Sequence, residues 1–338
     1  MRRTGSARDR DGDGAGTAGG AGTAAAAVTA GATLEPRAAG AIPFTKMHGL
    51  GNDYVFVDGF EVAVDDPPAL ARRVAHRRRG VGSDGLILLL PPEQGGDVRM
   101  RMFNADGSEA EMCGNGIRCL ARMAVERGRA GDDAVRVETP AGLRLARCRR
   151  EPDGRIATVT VDMGPPAFGP AAVGADPAGL EPGAADESPV RLRPAVVLGP
   201  APRDGGDAPA EPAWWLVSMG NPHAVAFVRD AASIDLASVG RAVETHAAFP
   251  ARINVHLAVV RDRGHVVVRT WERGSGATDA CGTGACAVAV AAAAAGLAGR
   301  TVRTTLPGGD LEIAWRPDGR VDMTGPAVES FRGTYAPS

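Results

Sequence analysis

The sequence predicts a mixed α/β (α+β) fold of two pseudo-symmetric domains, each a sheet of several strands around one main helix. A cysteine-glycine loop occurs twice, at Cys113–Gly116 (CGNG) and at Cys281–Gly284 (CGTG), each time before an apolar, helix-favouring run. The surrounding frame repeats as well, because Asn52 precedes its cysteine by 61 residues (113 − 52) and Asn221 precedes its cysteine by 60 (281 − 221). A repeat this long indicates two copies of one domain rather than a solenoid, whose repeats are far shorter.

The chain divides into a tail, two domains and a long connection. Residues 1–41 hold hardly any large apolar side chain, so they cannot bury enough surface to offset ordering, and we expect a disordered tail. Residues 42–160 form the predicted N-terminal domain, completed by 326–338, and residues 161–325 form the C-terminal domain. Within the latter, about 165–212 is rich in Pro, Ala, Gly and Asp and predicts a linker or surface insertion, with one strand-like stretch at 190–198.

In the first domain, apolar periodicity predicts strands near 42–47, 54–57, 86–90, 98–103, 135–137, 143–147 and 156–161. A helix from Pro67 to Arg79 is expected because proline is tolerated in a first turn. A second helix follows Cys113 and ends near Gly128.

The second domain repeats this pattern. Strands are expected at 214–218, 224–228, 253–260, 266–271, 301–306, 311–315 and 320–323. Helices are expected at 236–246 and directly after Cys281. Each copy therefore has one helix that begins at its repeated cysteine.

Composition excludes several classes of protein. The net charge is −2 and no basic block dominates, so neither nucleic acid nor an anionic membrane surface is expected as a partner. The longest apolar run, around 285–298, is mostly alanine and shorter than a bilayer span. Acidic residues soon follow Met1, which argues against a signal peptide. Five cysteines in a chain of this size indicate reduced thiols and a cytoplasmic location.

The repeated cysteines predict acid/base chemistry. A thiol at a helix N-terminus faces unpaired N–H groups and the positive end of the helix dipole, which should lower its pKa. If the two copies pack about a pseudo-twofold axis, Cys113 and Cys281 lie on opposite sides of one cleft. Such a pair can remove a proton from one face of a carbon and return a proton to the other, with one sulfur a thiolate and the other a thiol.

This chemistry calls for no metal or cofactor. Backbone amides at Gly114, Asn115, Gly282 and Thr283 are expected to stabilise negative charge that develops on a carboxylate. Pyridoxal phosphate requires a Schiff-base lysine, and Lys46 is the single lysine of the chain. The spacing of the cysteines does not favour zinc.

Other polar residues in the repeat have structural alternatives. Cys119, Cys148 and Cys286 are interpreted as core residues. The four asparagines at candidate positions could serve as turn formers rather than ligands; these are Asn52, Asn104, Asn221 and Asn254. His223 and Glu272 could orient or polarise a reacting group, or be an ordinary surface histidine and a strand-end glutamate. The adjacent Glu272 and Arg273 suit a substrate ammonium and carboxylate.

Five segments together resemble the diaminopimelate epimerase family. They are residues 47–53 (MHGLGND), 103–116 (FNADGSEAEMCGNG), 220–223 (GNPH), 252–255 (RINV) and 271–286 (WERGSGATDACGTGAC). The resemblance extends from about residue 43 to the C-terminus, apart from 165–212.

The resemblance implies a cofactor-independent epimerase that interconverts LL- and meso-diaminopimelate for lysine and peptidoglycan synthesis. It implies two strongly curved, mostly antiparallel sheets, each around a central helix, with the active site in the cleft between them, and a homodimer. Cys113 and Cys281 would be the acid/base pair, assisted by His223 and Glu272. The implied substrate-binding residues are Asn52, Asn104, Gly114, Asn115, Asn221, Asn254, Glu272, Arg273, Gly282 and Thr283.

Two alternative functions also fit the repeated cysteines. Proline racemase-like enzymes share the paired cysteines, but usually have histidine where this chain has Asn115, and they lack the Glu-Arg-Gly run that begins at Glu272. A redox-sensing binding protein could instead join the two facing thiols in a disulfide.

Overall fold

The computed structural model describes residues 40–110, 113–131, 134–181, 188–196, 198 and 212–336. The predicted tail therefore lies outside the described residues, except for Gly40 and Ala41. The first half contains β1 (Ile42–Gly49), β2 (Asn52–Asp58), α1 (Pro67–Ala75), β3 (Gly85–Leu90), β4 (Val98–Asn104), β5 (Glu109–Ala110), α2 (Gly114–Glu126), β6 (Ala134–Thr139), β7 (Gly142–Arg150) and β8 (Ile156–Asp162).

The second half repeats this order of elements. It contains β9 (Ala167–Phe168), β10 (Trp215–Ser218), β11 (Pro222–Phe227), α3 (Leu236–Glu244), β12 (Asn254–Asp262), β13 (His265–Glu272), β14 (Gly276–Thr278), α4 (Gly282–Ala294), β15 (Thr301–Leu306), β16 (Gly309–Trp315) and β17 (Val321–Gly325), followed by β18 (Val328–Tyr335). Two short 3₁₀ turns follow β9, at Ala171–Val173 and Pro177–Gly179.

The strands form one open sheet whose order is the same from either end. The path is β18-β1-β2-β3-β4-β6-β7-β8 in one half and β9-β10-β11-β12-β13-β15-β16-β17 in the other, and the halves join where β8 pairs with β17. Most pairs are antiparallel, and the parallel ones recur at equivalent points, β2/β3 with β11/β12 and β4/β6 with β13/β15. The predicted two-domain α/β class is confirmed.

The junction shows the pseudo-twofold relation most directly. Val161 faces Met323 and Thr160 faces Thr324, and the two threonine hydroxyls are 2.7 Å apart. Beyond the junction the chain crosses over, because β9 adds to the second half beside β10 and β18 adds to the first half beside β1.

Each half surrounds one helix. Nearly every residue of α2 and α4 is buried, and the α4 sequence, rich in alanine and valine, is apolar on all sides, as a helix enclosed by a sheet must be. Helix α1 covers the face of the first half that is opposite α2, and helix α3 covers the face of the second half that is opposite α4. Each packs in its own apolar cluster. Among the described residues no helix is long and apolar enough to cross a membrane.

Two local predictions were wrong. Helix α1 ends at Ala75 rather than Arg79, because the amides of Gly82 and Ser83 return to the carbonyls of Val74 and Ala75. Among the described residues of 190–198 no strand forms, and Val190 and Leu192 make isolated bridges to Trp214 and Leu180.

The described parts of the 165–212 segment contribute to a core. Val173, Leu180, Val190 and Leu192 are buried beside Trp214, which is fully enclosed. The sequence did not reveal this because the apolar residues are too sparse to show a period, and their burial depends on a tertiary partner.

Candidate active site

Both repeated cysteines are helix N-caps. Cys113 precedes α2 with φ −134° and ψ 118°, and Cys281 precedes α4 with φ −115° and ψ 105°. In this extended conformation each thiol lies beside the first-turn amides, which have no acceptor within their own helix. The predicted placement of the two thiols at equivalent helix starts is therefore observed.

The two helix starts lie against each other. The Asn115 side chain donates a hydrogen bond from Nδ2 to the carbonyl of Ala280, 3.3 Å away and directly before Cys281. The thioether of Met323 packs beneath both starts: a Cβ at Gly114 would lie 2.8 Å from its Cε, and one at Gly282 would lie 3.0 Å from its Sδ. A side chain at either glycine would displace the end of the Met323 side chain from this shared contact.

Cys113 lies in a polar cluster from the first half. Its sulfur accepts the amide of Gly116 at 3.4 Å, and its thiol donates to Asn52 Oδ1, also at 3.4 Å. Asn52 is held in turn, because its Nδ2 donates to Asp84 at 2.8 Å and its Oδ1 also accepts from Asn115. The predicted Asn52 and Asn115 are thus brought together at the thiol.

A fully buried guanidinium lies behind this cluster. Arg118 donates to Asn115 Oδ1 at 2.9 Å and to the carbonyl of Pro326 at 3.1 Å, and contacts the sulfur of Met323 at 3.6 Å. In the described part of the chain no carboxylate pairs with it. A buried cation without an anion is costly, and Arg118 interacts electrostatically with Cys119, Cys113 and Cys286. Burial raises the pKa of Cys119 and Cys286 to about 12, so of the three it is Cys113 whose thiolate form can offset this cost.

Cys281 lies in a different setting. Its sulfur is 3.7 Å from Thr283 Oγ1, and the carboxylate of Glu272 interacts with the same thiol. Glu272 accepts a hydrogen bond from Thr278 at 2.6 Å and also acts electrostatically on Cys113. One carboxylate therefore influences both sulfurs.

Burial dominates the titration of both thiols. It raises the pKa of Cys113 above the ordinary value, although the amides of Gly116 and Asn115 act in the opposite direction. The pKa of Cys281 is raised well above the ordinary value, first by burial and then by the charge of Glu272. The prediction that helix N-termini produce a net lowering was therefore wrong, because desolvation outweighs the hydrogen bonds.

His223 belongs to a buried chain of side chains. Its Nε2 is 2.9 Å from Asn221 Oδ1, and its Nδ1 is 2.9 Å from His256 Nε2. Asn221 also donates to Thr283 Oγ1 at 3.3 Å, which connects this chain to the start of α4. Burial lowers the pKa of His223 well below its usual value, so the ring is neutral.

Three predicted site residues are not linked to the thiols. Asn254 uses its side chain to accept the amide of Arg273 and to donate to the carbonyl of Pro222, both at 2.9 Å. The Arg273 guanidinium donates to the carbonyl of Ala251 on an exposed loop. Asn104 donates to Ser108 within its own hairpin.

Several residues of the site were missed by sequence reasoning. One is Tyr54, whose hydroxyl interacts with Asn52 and Cys113. The others are Asp84, Arg118, His256, Thr270, Thr278 and Met323. Arg118 could have been suspected from its place in the apolar helix after Cys113. Asp84 lies in the loop directly before β3, and the others occupy ordinary strand positions, so only the tertiary fold brings them to the site. Among the described residues, no three His, Cys, Asp or Glu side chains are grouped as metal ligands.

Comparison with known proteins identifies relatives along most of the chain. The model of the diaminopimelate epimerase family matches residues 44–169 and 215–329. A diaminopimelate epimerase of Moorella thermoacetica is 49% identical over 294 residues, covering 86% of this chain and 98% of that protein. One from Methanococcus maripaludis is 39% identical over 294 residues, with the same coverage of 86% and 98%.

Solved structures share the fold at low sequence identity. A phenazine biosynthesis protein of the PhzF family from Bacillus anthracis superposes with a TM-score of 0.59 at 14% identity, covering 88% of this chain and 99% of that one. A hydroxyproline epimerase from Agrobacterium vitis gives a TM-score of 0.58 at 17% identity, covering 87% and 92%. These similarities concern the fold alone.

Proposed function

The chain belongs to the diaminopimelate epimerase family, and from this premise we propose that it interconverts LL- and meso-diaminopimelate without a cofactor, using Cys113 and Cys281 as the two acid/base groups. The reaction would supply lysine and peptidoglycan synthesis. The observation that carries the proposal is the contact between the two helix starts. The Asn115 side chain of α2 reaches the residue before Cys281, and Met323 packs under both glycines.

In the forward step, the thiolate of Cys113 removes the α-proton of the substrate from one face. The C–H bond breaks, an S–H bond forms, and the electron pair passes into the substrate carboxylate. The thiol of Cys281 then donates its proton to the opposite face of the same carbon, which leaves the pair with the roles exchanged. The reverse reaction starts from that exchanged state.

Burial of the thiols supports this mechanism. A thiolate with a raised pKa is a stronger base, which favours abstraction from a weakly acidic carbon. The first-turn amides of Gly114, Asn115, Gly282 and Thr283 are suited to bind the substrate carboxylate as charge develops on it.

The remaining predicted residues are proposed to hold the substrate and the acid/base pair. Glu272 acts on both thiols, and His223 acts through Asn221 and Thr283. Asn52 already accepts a hydrogen bond from the Cys113 thiol, so its side-chain amide lies beside one of the two proposed acid/base groups. Four other residues are proposed as substrate ligands: Asn104, Asn221, Asn254 and Arg273. To bind substrate, Asn104, Asn254 and Arg273 must give up or share the contacts described above.

The test is incubation of reduced protein with LL-diaminopimelate in D₂O, followed by NMR and chiral chromatography. We expect deuterium at one α-carbon and conversion to the meso isomer. Exchange with proline alone would support a proline racemase-like activity instead. Absence of exchange with either amino acid under reducing conditions would support a redox-sensing role and contradict the proposal.

We propose further that the protein is a cytoplasmic homodimer. Strand β18 supports the dimer, because it pairs with β1 alone among the described strands and exposes Val328 and Phe331. Light scattering should give twice the mass of the chain, and Phe331→Arg should reduce that mass; a monomeric wild type would contradict the dimer. Cell fractionation should recover the protein in the cytoplasmic fraction.

A further inference from the structure

A row of buried side chains runs from the interior of the second half to Cys281. Thr270 Oγ1 is 3.0 Å from His256 Nδ1, and His256 Nε2 is 2.9 Å from His223 Nδ1. The row continues through Asn221 to Thr283, and Thr283 lies 3.7 Å from the Cys281 sulfur. Neither Thr270 nor His256 is assigned a part in the reaction proposed above.

The donor and acceptor of each hydrogen bond in the row can be inferred from the orientation of the Asn221 side-chain amide. Asn221 donates through Nδ2 to Thr283, so its Oδ1 faces His223 and can only accept. The His223 proton must then be on Nε2, which leaves Nδ1 as an acceptor for His256. By the same reasoning, His256 carries its proton on Nε2.

Both ends of the row follow the same direction. With its proton on Nε2, His256 accepts at Nδ1, so the hydroxyl of Thr270 donates to it. At the other end, the Thr283 oxygen accepts from Asn221, which leaves its own proton free to point at the sulfur of Cys281. Every bond is thus donated in the same sense, from Thr270 towards the reactive thiol.

Near neutral pH, neither histidine gains a second proton that would reverse these hydrogen bonds. Both histidine side chains are fully enclosed, and burial lowers the pKa of His256 to about 3 and that of His223 well below its usual value. Each ring therefore holds one proton. The His256 ring is also fixed by α4, because a Cβ at Gly284 would lie 2.2 Å from its Cε1.

The first half shows that the fold does not require this row. Strand register makes Tyr54 the counterpart of His223, Ile87 that of His256, and Met102 that of Thr270. Ile87 packs against Gly116 as His256 packs against Gly284. Because the first half fills the positions of His256 and Thr270 with apolar side chains, the polar pair has a purpose other than packing.

We propose that His256, held by Thr270, is a positioning residue that sets the tautomer of His223 and thereby directs a hydrogen bond from Thr283 onto the sulfur of Cys281. This inference rests on the proposed function for its role in turnover. A hydroxyl that donates to sulfur stabilises the thiolate, whereas Glu272 favours the thiol. The row therefore keeps Cys281 able to act as the base in the reverse direction.

The first measurement is ¹⁵N NMR of histidine side chains in the resting protein. We expect both His223 and His256 as the Nε2–H tautomer. Observation of His223 with its proton on Nδ1 would overturn the proposal. Because no substrate is present, this result is independent of whether diaminopimelate is epimerised, so failure of the two proposals can be distinguished.

The second measurement is alkylation of Cys281 by iodoacetamide, followed by peptide mass spectrometry. Thr270→Val removes the first donor, and we expect labelling of Cys281 at fixed pH to slow about fivefold, as loss of one hydrogen bond predicts. Labelling of Cys113 should not change. Thr270→Ser restores the hydroxyl and should restore the rate.

A matched control is available on β15. Thr304 is fully buried and its hydroxyl has no hydrogen-bond partner within the described part of the chain, so Thr304→Val should leave Cys281 labelling unchanged. The paired change His256→Ile with Thr270→Met copies the apolar pattern of the first half and should fold. It should slow turnover that starts with Cys281 as base more than the opposite direction, with little change in KM. Equal labelling of Cys281 in the Val, Ser and wild-type proteins would overturn the proposal.

Discussion

The two thiols occupy equivalent positions in a duplicated fold, but the charges around them differ. When α2 and α4 are aligned on their cysteines, Arg118 coincides with Cys286, and on the preceding strands Asn104 coincides with Glu272. The first half therefore has a buried cation where the second has a thiol, and a neutral amide where the second has a carboxylate. Both differences favour a thiolate at Cys113 and a thiol at Cys281. Duplication supplied the symmetry of the site, and a few substitutions gave its two thiols different electrostatic surroundings.

The largest expected effect tests whether the two thiols are equally essential. Cys113→Ala and Cys281→Ala should each lower epimerisation more than about 10³-fold, since each removes one of two acid/base groups. Each variant should at most exchange the α-proton of one stereoisomer without inverting it, and the two should differ in which isomer they accept. Deuterium incorporation by NMR measures this. Cys148→Ala, on β7, is the control and should retain turnover. A single variant with near-normal epimerisation would contradict the two-base assignment.

The histidine pair, present only in the second half, predicts acid sensitivity. In the folded protein, burial lowers the pKa of His256 from 6.5 to about 3. Below pH 6.5 the unfolded chain therefore binds a proton that the folded chain excludes. Stability is thus lost as pH falls from about 6.5 towards 3, and at pH 5 the loss from His256 alone is on the order of 2 kcal/mol. Urea unfolding at pH 7.5 and 5.0 should show a smaller difference in His256→Ile. The control variant His76→Gln, at an exposed site, should behave as wild type. A His256→Ile variant that loses as much stability between the two pH values as wild type would refute the neutral buried ring.

The buried cation of the first half predicts a more modest change. Arg118→Met keeps much of the side-chain volume but removes the charge, so the pKa of Cys113 should rise and its alkylation at fixed pH should slow by about tenfold. Labelling of Cys281 should change less. Peptide mass spectrometry resolves the two sites, and Arg122→Met, one turn further along α2, is the matched control. Equal slowing at both cysteines would indicate a general structural effect rather than a local charge.

The smallest effect concerns the carboxylate of the second half. Glu272→Gln removes a negative charge that acts more strongly on Cys281 than on Cys113, so the pKa of Cys281 should fall and its alkylation should accelerate about threefold, as a partly screened charge predicts. Cys113 should respond less. Glu312→Gln, exposed on β16, should alter neither rate. Slower labelling of Cys281 would contradict the assigned sign.

Much of the fold and part of the candidate site could be predicted from the sequence. The repeated cysteine loops predicted two like domains, and apolar patterning located most strands. Some of them alternate buried and exposed residues, as β6 and β15 do, and others are continuous apolar runs, as β3 is. Asn52, Asn115, Asn221 and Thr283 were singled out by their positions in the repeat, and the structure brings them to the thiols. The last strand, β18, was missed as a strand because its residues are mostly exposed and lack alternation.

Chain order alone determined the duplication, the two cysteine helix caps and the absence of any lysine but Lys46. Tertiary structure decided the sign of the thiol pKa shifts, because desolvation depends on what covers a side chain and not on its neighbours in sequence. It also decided that His256 and Thr270 belong to the site. Residues from separate strands meet only through sheet register, so their shared hydrogen bonds have no signature in a local pattern.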